Sequence, residues 1–462
     1  MAQAARAHFN SPRASLSNSP VAETAQSESG LKRQLGLASA TAMVAGEVIA
    51  VGIFLTPADM AKSLGSPMWV MVVWLVMGGM AISGALCYGE LAARFPEAGG
   101  GYVYLREAYG PGLAFLYGWK CFLVLDPGLT AALATGAASY VGYIINLSPN
   151  GAKAVAIAAI FLMATANILG VRVGAWLINW LTALKLGLLA LIVLWGFCLG
   201  LGDWSNFTPF IAQRAGSAPL VGGLAGGMVA AFFSFGGWWD ASKLAGEVRD
   251  PVRTMPRALT FGVGIVTLVY IITSAAFIYL VPIEQATSGE TFAAQAGEIL
   301  FGRAGGQVFS GIVIISVLGS LLAVIITAPR VYYSMARDGV FFNAAAKLHP
   351  RFNTPARACL LQAALASLLV AVGTFNQIIA YFVFITVVFV GLTVAAVFVL
   401  RKKPQTGESF RTPGYPVTPV IFLTLVIMLL VMLAANNPRQ AALGVAVVAL
   451  GAPVYYLVFR KR

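Results

Sequence analysis

Two stretches of this chain combine residue types that an ordinary membrane helix avoids. The first is Gly46-Glu47-Val48-Ile49-Ala50-Val51-Gly52-Ile53-Phe54, and the second is Phe232-Phe233-Ser234-Phe235-Gly236-Gly237-Trp238-Trp239-Asp240. Each sets glycines and an acid inside an apolar run. A glycine costs a helix roughly 1 kcal/mol relative to alanine. An acidic residue at bilayer depth adds about 2.5–3.5 kcal/mol on the insertion scale. Glycines alone favour close helix packing, but the neighbouring acids and the matched positions of the two stretches reverse that in favour of broken helices. A break frees N–H groups at one half-helix start and C=O groups at the other half-helix end. In hydrocarbon such groups persist only where they line a cavity or hold a ligand. The N–H end suits a carboxylate and the C=O end an ammonium, so two facing breaks fit the zwitterionic head of an α-amino acid. The donors are expected around Val51, Gly52 and Ile53, and the acceptors at Val48, Ile49 and Ala50, with the Phe233 and Ser234 carbonyls facing the ammonium.

Other charges lie at membrane depth. Lys185, in Leu181-Thr182-Ala183-Leu184-Lys185-Leu186, has flanks too apolar for easy snorkelling. Glu47 precedes the first break by one helical turn. It either pairs with Lys185, which would offset part of each burial cost, or faces a water-filled vestibule. Asp126 stands before Pro127. It either favours a cationic substrate or proton route, or accepts hydrogen bonds from donors freed near a proline kink. Asp240 and Lys243 are expected to shape an inner gate rather than touch substrate. Ser316 and Ser320 either offer hydroxyls towards Lys185 or simply pack.

Composition sets the class of element that must position these residues. Of 462 residues 59% are hydrophobic and only 10% charged, with a mean hydropathy of +0.82. Soluble domains carry about 25% charged residues, so the chain is an all-α polytopic membrane protein. The net charge of +13 is scattered between apolar segments rather than gathered on one face, which argues against nucleic acid. The four cysteines, Cys87, Cys121, Cys198 and Cys359, form no CxxC pair, and the two histidines are His8 and His349. Disulfides, zinc, haem, any other cofactor and membrane-embedded enzyme chemistry are therefore not expected. A channel would call for a repeated pore-lining ring, which two inequivalent breaks do not supply.

Residues 1–35 lack an apolar core and read as a disordered cytoplasmic tail. Twelve apolar spans follow, at about 37–60, 68–93, 112–146, 153–171, 176–201, 220–242, 258–281, 304–329, 358–373, 377–400, 417–434 and 440–459. The third is overlong and is expected to tilt or to kink near Asp126-Pro127. With the N-terminus cytoplasmic, inner segments hold 23 of the 30 Lys and Arg and outer loops hold 5. That bias puts both termini inside, in a plasma (inner) membrane. Spans one and six, five apart, carry the two breaks. Paired interrupted spans are the sequence mark of an inverted-repeat transporter with a midplane site.

The residues also carry a resemblance. Gly46 to Phe54 followed by Leu55-Thr56-Pro57, then Tyr88-Gly89-Glu90-Leu91 with Phe95-Pro96-Glu97-Ala98-Gly99-Gly100, Phe235-Gly236-Gly237-Trp238, Glu247-Val248-Arg249-Asp250-Pro251, Met255-Pro256 and His349-Pro350 resemble the amino acid–polyamine–organocation permeases, most closely the L-type amino acid transporter branch. The resemblance covers nearly all of residues 36–400. It implies a LeuT-type 5+5 inverted repeat of twelve transmembrane helices, the first and sixth discontinuous. Repeats are expected at 36–201 and 202–400, with two extra spans in 401–462. It implies sodium-independent amino acid transport by alternating access, through exchange or proton coupling, with a polyamine or other organic cation as the alternative cargo. The carboxylate-binding turn falls on Ala50, Val51 and Gly52, where the first two depart from the family's usual Gly-Ser/Thr. The aromatic gate falls on Phe233, with Ser234, Phe235 and Gly236 in the unwound stretch. Val124 and Leu125 fall near the substrate side chain, and Trp239 on the pocket floor. Lys185 matches a lysine whose ammonium stands where sodium-coupled relatives bind the ion. The loop 147–152 has no cysteine, so no disulfide-linked heavy subunit is expected.

Overall fold

The computed structural model describes residues 32–50, 52–285, 292–372, 375–404, 410–436 and 438–459. Among them the chain is helical throughout, with one isolated bridge between Leu35 and Val248. The first crossing is two helices, α1 (Leu37–Val48) and α2 (Gly52–Leu64), parted where Ile49 leaves helical geometry at ψ 84°. Then follow α3 (Pro67–Arg94), the short α4 (Gly101–Tyr109), α5 (Pro111–Ile145), α6 (Pro149–Ile168) and α7 (Val171–Cys198). The second interrupted element is α8 (Leu220–Phe235). It ends at Gly236, with ψ 141°, and Gly237, whose φ of +106° excludes most side chains. The chain continues as a 3₁₀ segment, Asp240–Glu247. The remaining helices are α9 (Pro251–Leu280), α10 (Phe292–Thr327), α11 (Pro329–Arg337), α12 (Ala356–Val372), α13 (Phe375–Arg401), α14 (Val417–Asn436) and α15 (Pro438–Val454).

Among the described residues eight helical segments are long and apolar enough to cross a membrane, and three shorter apolar helices, Leu37–Val48, Ala356–Val372 and Gly444–Phe459, accompany them. Large apolar side chains such as Leu75, Leu162, Trp176, Trp180 and Leu194 stand exposed on the outer surface, where hydrocarbon rather than water is the matching solvent. The expected disturbance near Asp126-Pro127 is a π-helical turn at Cys121–Leu125. Pro127 has no N–H to continue the ordinary ladder, and the Asp126 N–H reaches the Cys121 carbonyl five residues back. One expectation is corrected at its edge. The N-terminal segment is tied down before residue 35, because the Gln34 and Leu35 N–H groups donate to the Glu247 carbonyl at 2.8 and 3.0 Å. Leu35 is buried there; residues 1–31 lie outside the described residues.

The end of the molecule that holds this tie is cross-linked by ion pairs. Arg330 meets Glu247 at 2.7 Å with both side chains buried, and Arg401 meets Glu90 at 2.6 Å. Arg106 bridges Asp338 at 2.6 Å and Glu97 at 3.2 Å. Nearer the middle, the two breaks meet through Gly52. A Cβ there would lie 2.8 Å from both Cα and Oγ of Ser234, whereas one on Gly79 would meet nothing within 4 Å. Gly79→Ala is therefore expected to raise stability by about 1 kcal/mol through helix propensity. Gly52→Ala should lower the melting temperature in detergent despite the same propensity gain, because the Ser234 backbone must move. A Gly52→Ala protein as stable as Gly79→Ala would contradict the close approach.

Candidate functional site

A cavity of about 630 Å³ of empty space, open solvent included, lies between the two breaks, α5 and α13. The first break contributes Glu47, Val48, Ala50 and Gly52, and the second contributes Phe232, Phe233, Ser234, Gly236, Gly237, Trp239 and Asp240. From α5 come Leu125, Leu129 and Leu133, and from α13 Val383 and Thr386. The walls are thus largely aliphatic and aromatic, with the polar groups gathered at the breaks, the common composition of a small-molecule site.

The break in α1 is held from behind. Lys185 of α7 is fully buried, and its ammonium donates to the Gly46 carbonyl at 2.8 Å, the Ile49 carbonyl at 2.6 Å and the Ser316 carbonyl at 3.2 Å. The Ser320 hydroxyl of α10 donates to the same Gly46 and Ile49 carbonyls at 2.6 and 2.9 Å, and Ser316 reaches Ile49 at 3.3 Å. The carbonyls released at the end of α1 therefore surround a fixed cation. On the other side Tyr270 of α9 ties the two breaks together. Its hydroxyl lies 2.9 Å from the Val48 carbonyl and 2.7 Å from the Ser234 carbonyl. The hydroxyls of Thr56 and Ser234 meet at 2.8 Å, and Thr56 also donates to the Gly52 carbonyl at 2.8 Å.

The sequence-expected residues divide accordingly. Val48, Ala50, Gly52, Leu125, Phe233, Ser234 and Gly236 line the cavity together with Glu47. Ile49, Ile53 and Phe235 do not: they are buried in the core, the Ile49 carbonyl is turned to Lys185, and the Phe235 ring packs on Trp74 and Tyr270 with centroids 5.9 and 5.2 Å away. Val124 is half-buried against the core and off the cavity. Val51 lies outside the described residues. The expected acceptors for an ammonium are also engaged, with the Phe233 carbonyl taking the Gly236 N–H at 3.0 Å.

The pairing of Glu47 with Lys185 is not made. Lys185 is saturated by carbonyls and a hydroxyl, and Glu47 Oε1 accepts instead from the Thr327 hydroxyl at 3.1 Å. Asp126 is likewise committed. Its carboxylate takes Lys243 at 3.1 Å and the Tyr332 hydroxyl at 3.0 Å, and Lys243 also meets Asp240 at 2.6 Å. The kink's own donors leave it free to do so, since the π turn closes on the backbone. Asp240, expected only at a gate, also borders the cavity. Among the described residues no three His, Cys, Asp or Glu side chains are grouped to hold a metal.

Sequence reasoning missed Leu129 and Leu133, although with Leu125 they recur every four residues on one helix face, a signal that was available. It also missed Thr386 and Tyr270, which had none: each is one of several polar side chains in a long apolar helix, and only folding selects it to meet the breaks.

The sequence model of the amino acid permease family matches residues 35–459. Over 440 residues the chain is 29% identical to the serine/threonine exchanger SteT of Bacillus subtilis (strain 168), covering 94% of this chain and 99% of that protein. It is 30% identical over 460 residues to the large neutral amino acids transporter small subunit 2 of Rattus norvegicus, covering 97% and 85%. With the human b(0,+)-type amino acid transporter 1 it shares 28% identity over 439 residues, covering 93% and 88%.

Tyr270→Phe removes the donor shared by the Val48 and Ser234 carbonyls without changing shape. It should lower unfolding stability by about 1–3 kcal/mol, the range for a buried group left unsatisfied. A melting temperature unchanged from wild type would show that the tyrosine bridge does not hold the breaks.

Proposed function

Because the chain belongs to the amino acid permease family, we propose that it is a sodium-independent secondary transporter of amino acids that works by alternating access, as an exchanger or with proton coupling. It is a multi-pass membrane transporter and not an enzyme. The relatives named above are an amino acid exchanger and amino acid transporters, and the cavity between two broken helices has a lining suited to such a substrate.

The observation that carries sodium independence is the Lys185 ammonium among the Gly46, Ile49 and Ser316 carbonyls. A ring of carbonyl oxygens at a helix break is the kind of surface that coordinates a monovalent cation. Here a side chain that cannot leave already supplies the positive charge, so a sodium ion would be redundant and repelled. The proposal extends to topology: twelve crossings in a plasma membrane with cytoplasmic termini, repeats at 36–201 and 202–400, and two further spans in 401–462. It is supported by the paired breaks and by the concentration of Lys and Arg in alternate loops. The ion-paired end that carries Leu35, Glu247 and Arg330 is then the cytoplasmic gate. The absence of cysteine from residues 147–152 supports action without a disulfide-linked heavy subunit. Engagement of Asp126 by Lys243 and Tyr332 withdraws the feature that favoured an amine as cargo over an amino acid.

Uptake of labelled amino acids into proteoliposomes at fixed pH is expected to be unchanged when choline replaces sodium. Loss of uptake in choline would refute sodium independence and leave the family assignment standing.

A further inference from the structure

The residues lining the cavity include polar side-chain atoms that have no hydrogen-bond partner: Glu47 Oε2, Trp239 Nε1, Thr386 Oγ1 and Asp240 Oδ1, the last of which still meets the Lys243 ammonium at 2.6 Å. Glu47 is the anomalous one. It is only 3% exposed, and its carboxylate is met by a single donor, the Thr327 hydroxyl on Oε1. A carboxylate at such depth is stable when a cation accompanies it or when it gives up its charge. The nearby cations are otherwise employed. Lys243 bridges Asp126 and Asp240, and Lys185 donates to carbonyls and Ser320. Among the described residues no ion pair reaches Glu47.

The backbone points the same way. Several of the carbonyls that the two breaks could offer an ammonium already have donors within reach. Val48 and Ser234 take Tyr270, Ile49 takes Lys185 and Ser320, and Phe233 takes the Gly236 N–H. Among the described residues, Glu47 Oε2 is a carboxylate oxygen at the cavity with neither a hydrogen bond nor an ion pair. Its side chain is carried against the second break, since a Cβ on Gly237 would lie 3.0 Å from Glu47 Cγ. The carboxylate thus sits where both breaks can present a substrate to it.

We infer that Glu47 is the counter-ion for an alkylammonium group of the transported substrate, which it meets at Oε2. This rests on the amino acid reading above. The ammonium is either the α-amino group or a side-chain amine, and both carry the same chemistry. With substrate bound, the buried carboxylate gains its cation and the substrate's ammonium gains a charge-assisted hydrogen bond. The cavity is then poised against an acylated analogue that lacks an ammonium.

The test is equilibrium binding to purified full-length protein of L-leucine, L-lysine, N-acetyl-L-leucine and Nα-acetyl-L-lysine, on wild type and Glu47→Gln. Each ligand that binds wild type through the ammonium that meets Glu47 should weaken roughly 10- to 100-fold on Glu47→Gln, the range for a hydrogen bond to a charged group. N-acetyl-L-leucine, which has no ammonium, should not distinguish the two proteins. Loss confined to L-leucine and L-lysine assigns the α-ammonium, and loss that extends to Nα-acetyl-L-lysine assigns the side-chain amine. Unchanged affinity on Glu47→Gln overturns the inference. So does unchanged affinity with loss of the pH dependence of uptake, which would make Glu47 a proton carrier. Should Glu47→Gln not give a monodisperse protein, Glu47→Asp keeps the charge but shortens its reach; wild-type affinity there, with N-acetyl-L-leucine bound to wild type as tightly as L-leucine, overturns it equally. If wild type binds none of the amino acids, the transport reading itself fails and takes the inference with it. Binding that ignores residue 47 defeats the inference alone.

Discussion

Everything in this structure depends on one constraint: a helix interrupted inside hydrocarbon must have its freed carbonyls met by some donor. The donor for the first break is Lys185, an ammonium on α7 held by the Gly46, Ile49 and Ser316 carbonyls. Ser316 and Ser320 of α10 complete the ring. The lysine tolerates burial because dipoles on several sides replace its hydration, and the break tolerates burial because the lysine is there. Neither is stable without the other, so α7 and α10 are locked to the first break before any substrate arrives.

The second break is held by different means. Tyr270 reaches one carbonyl from each break, and the absence of a side chain at Gly52 lets Ser234 approach to contact distance. The two interruptions therefore behave as one unit, with the cavity as the space they enclose. Beyond it, the Asp126–Lys243–Asp240 cluster and the Arg330–Glu247 pair join the segment after α8 to α5 and α11. Buried ion pairs add little net stability against apolar alternatives. Their effect here is to fix which elements meet around the segment after α8. Glu47 stands apart from this network as the acid at the cavity without an internal cation.

The sequence alone determined the class of the molecule, the position of both breaks and the isolation of Lys185. Each of these is a local property. Hydropathy reports the solvent, two glycines beside an acid report a helix that cannot continue, and a lysine flanked by leucines on both sides cannot reach an interface. A disturbance near Pro127 was legible for the same reason, since a missing N–H disturbs its own ladder, though not that it takes the form of a π turn. What the tertiary structure decided was who meets whom. Glu47 and Lys185 looked like partners because opposite charges at one depth attract. Yet α1 turns the Gly46 and Ile49 carbonyls, not the carboxylate, towards α7. Asp126 finds Lys243 and Tyr332, 117 and 206 residues away in the chain, and Tyr270 finds both breaks. Such pairings depend on the rotation of each helix about its axis, which is set by packing against several neighbours at once. A single sequence records which groups need partners; only the packed bundle says which partners they obtain.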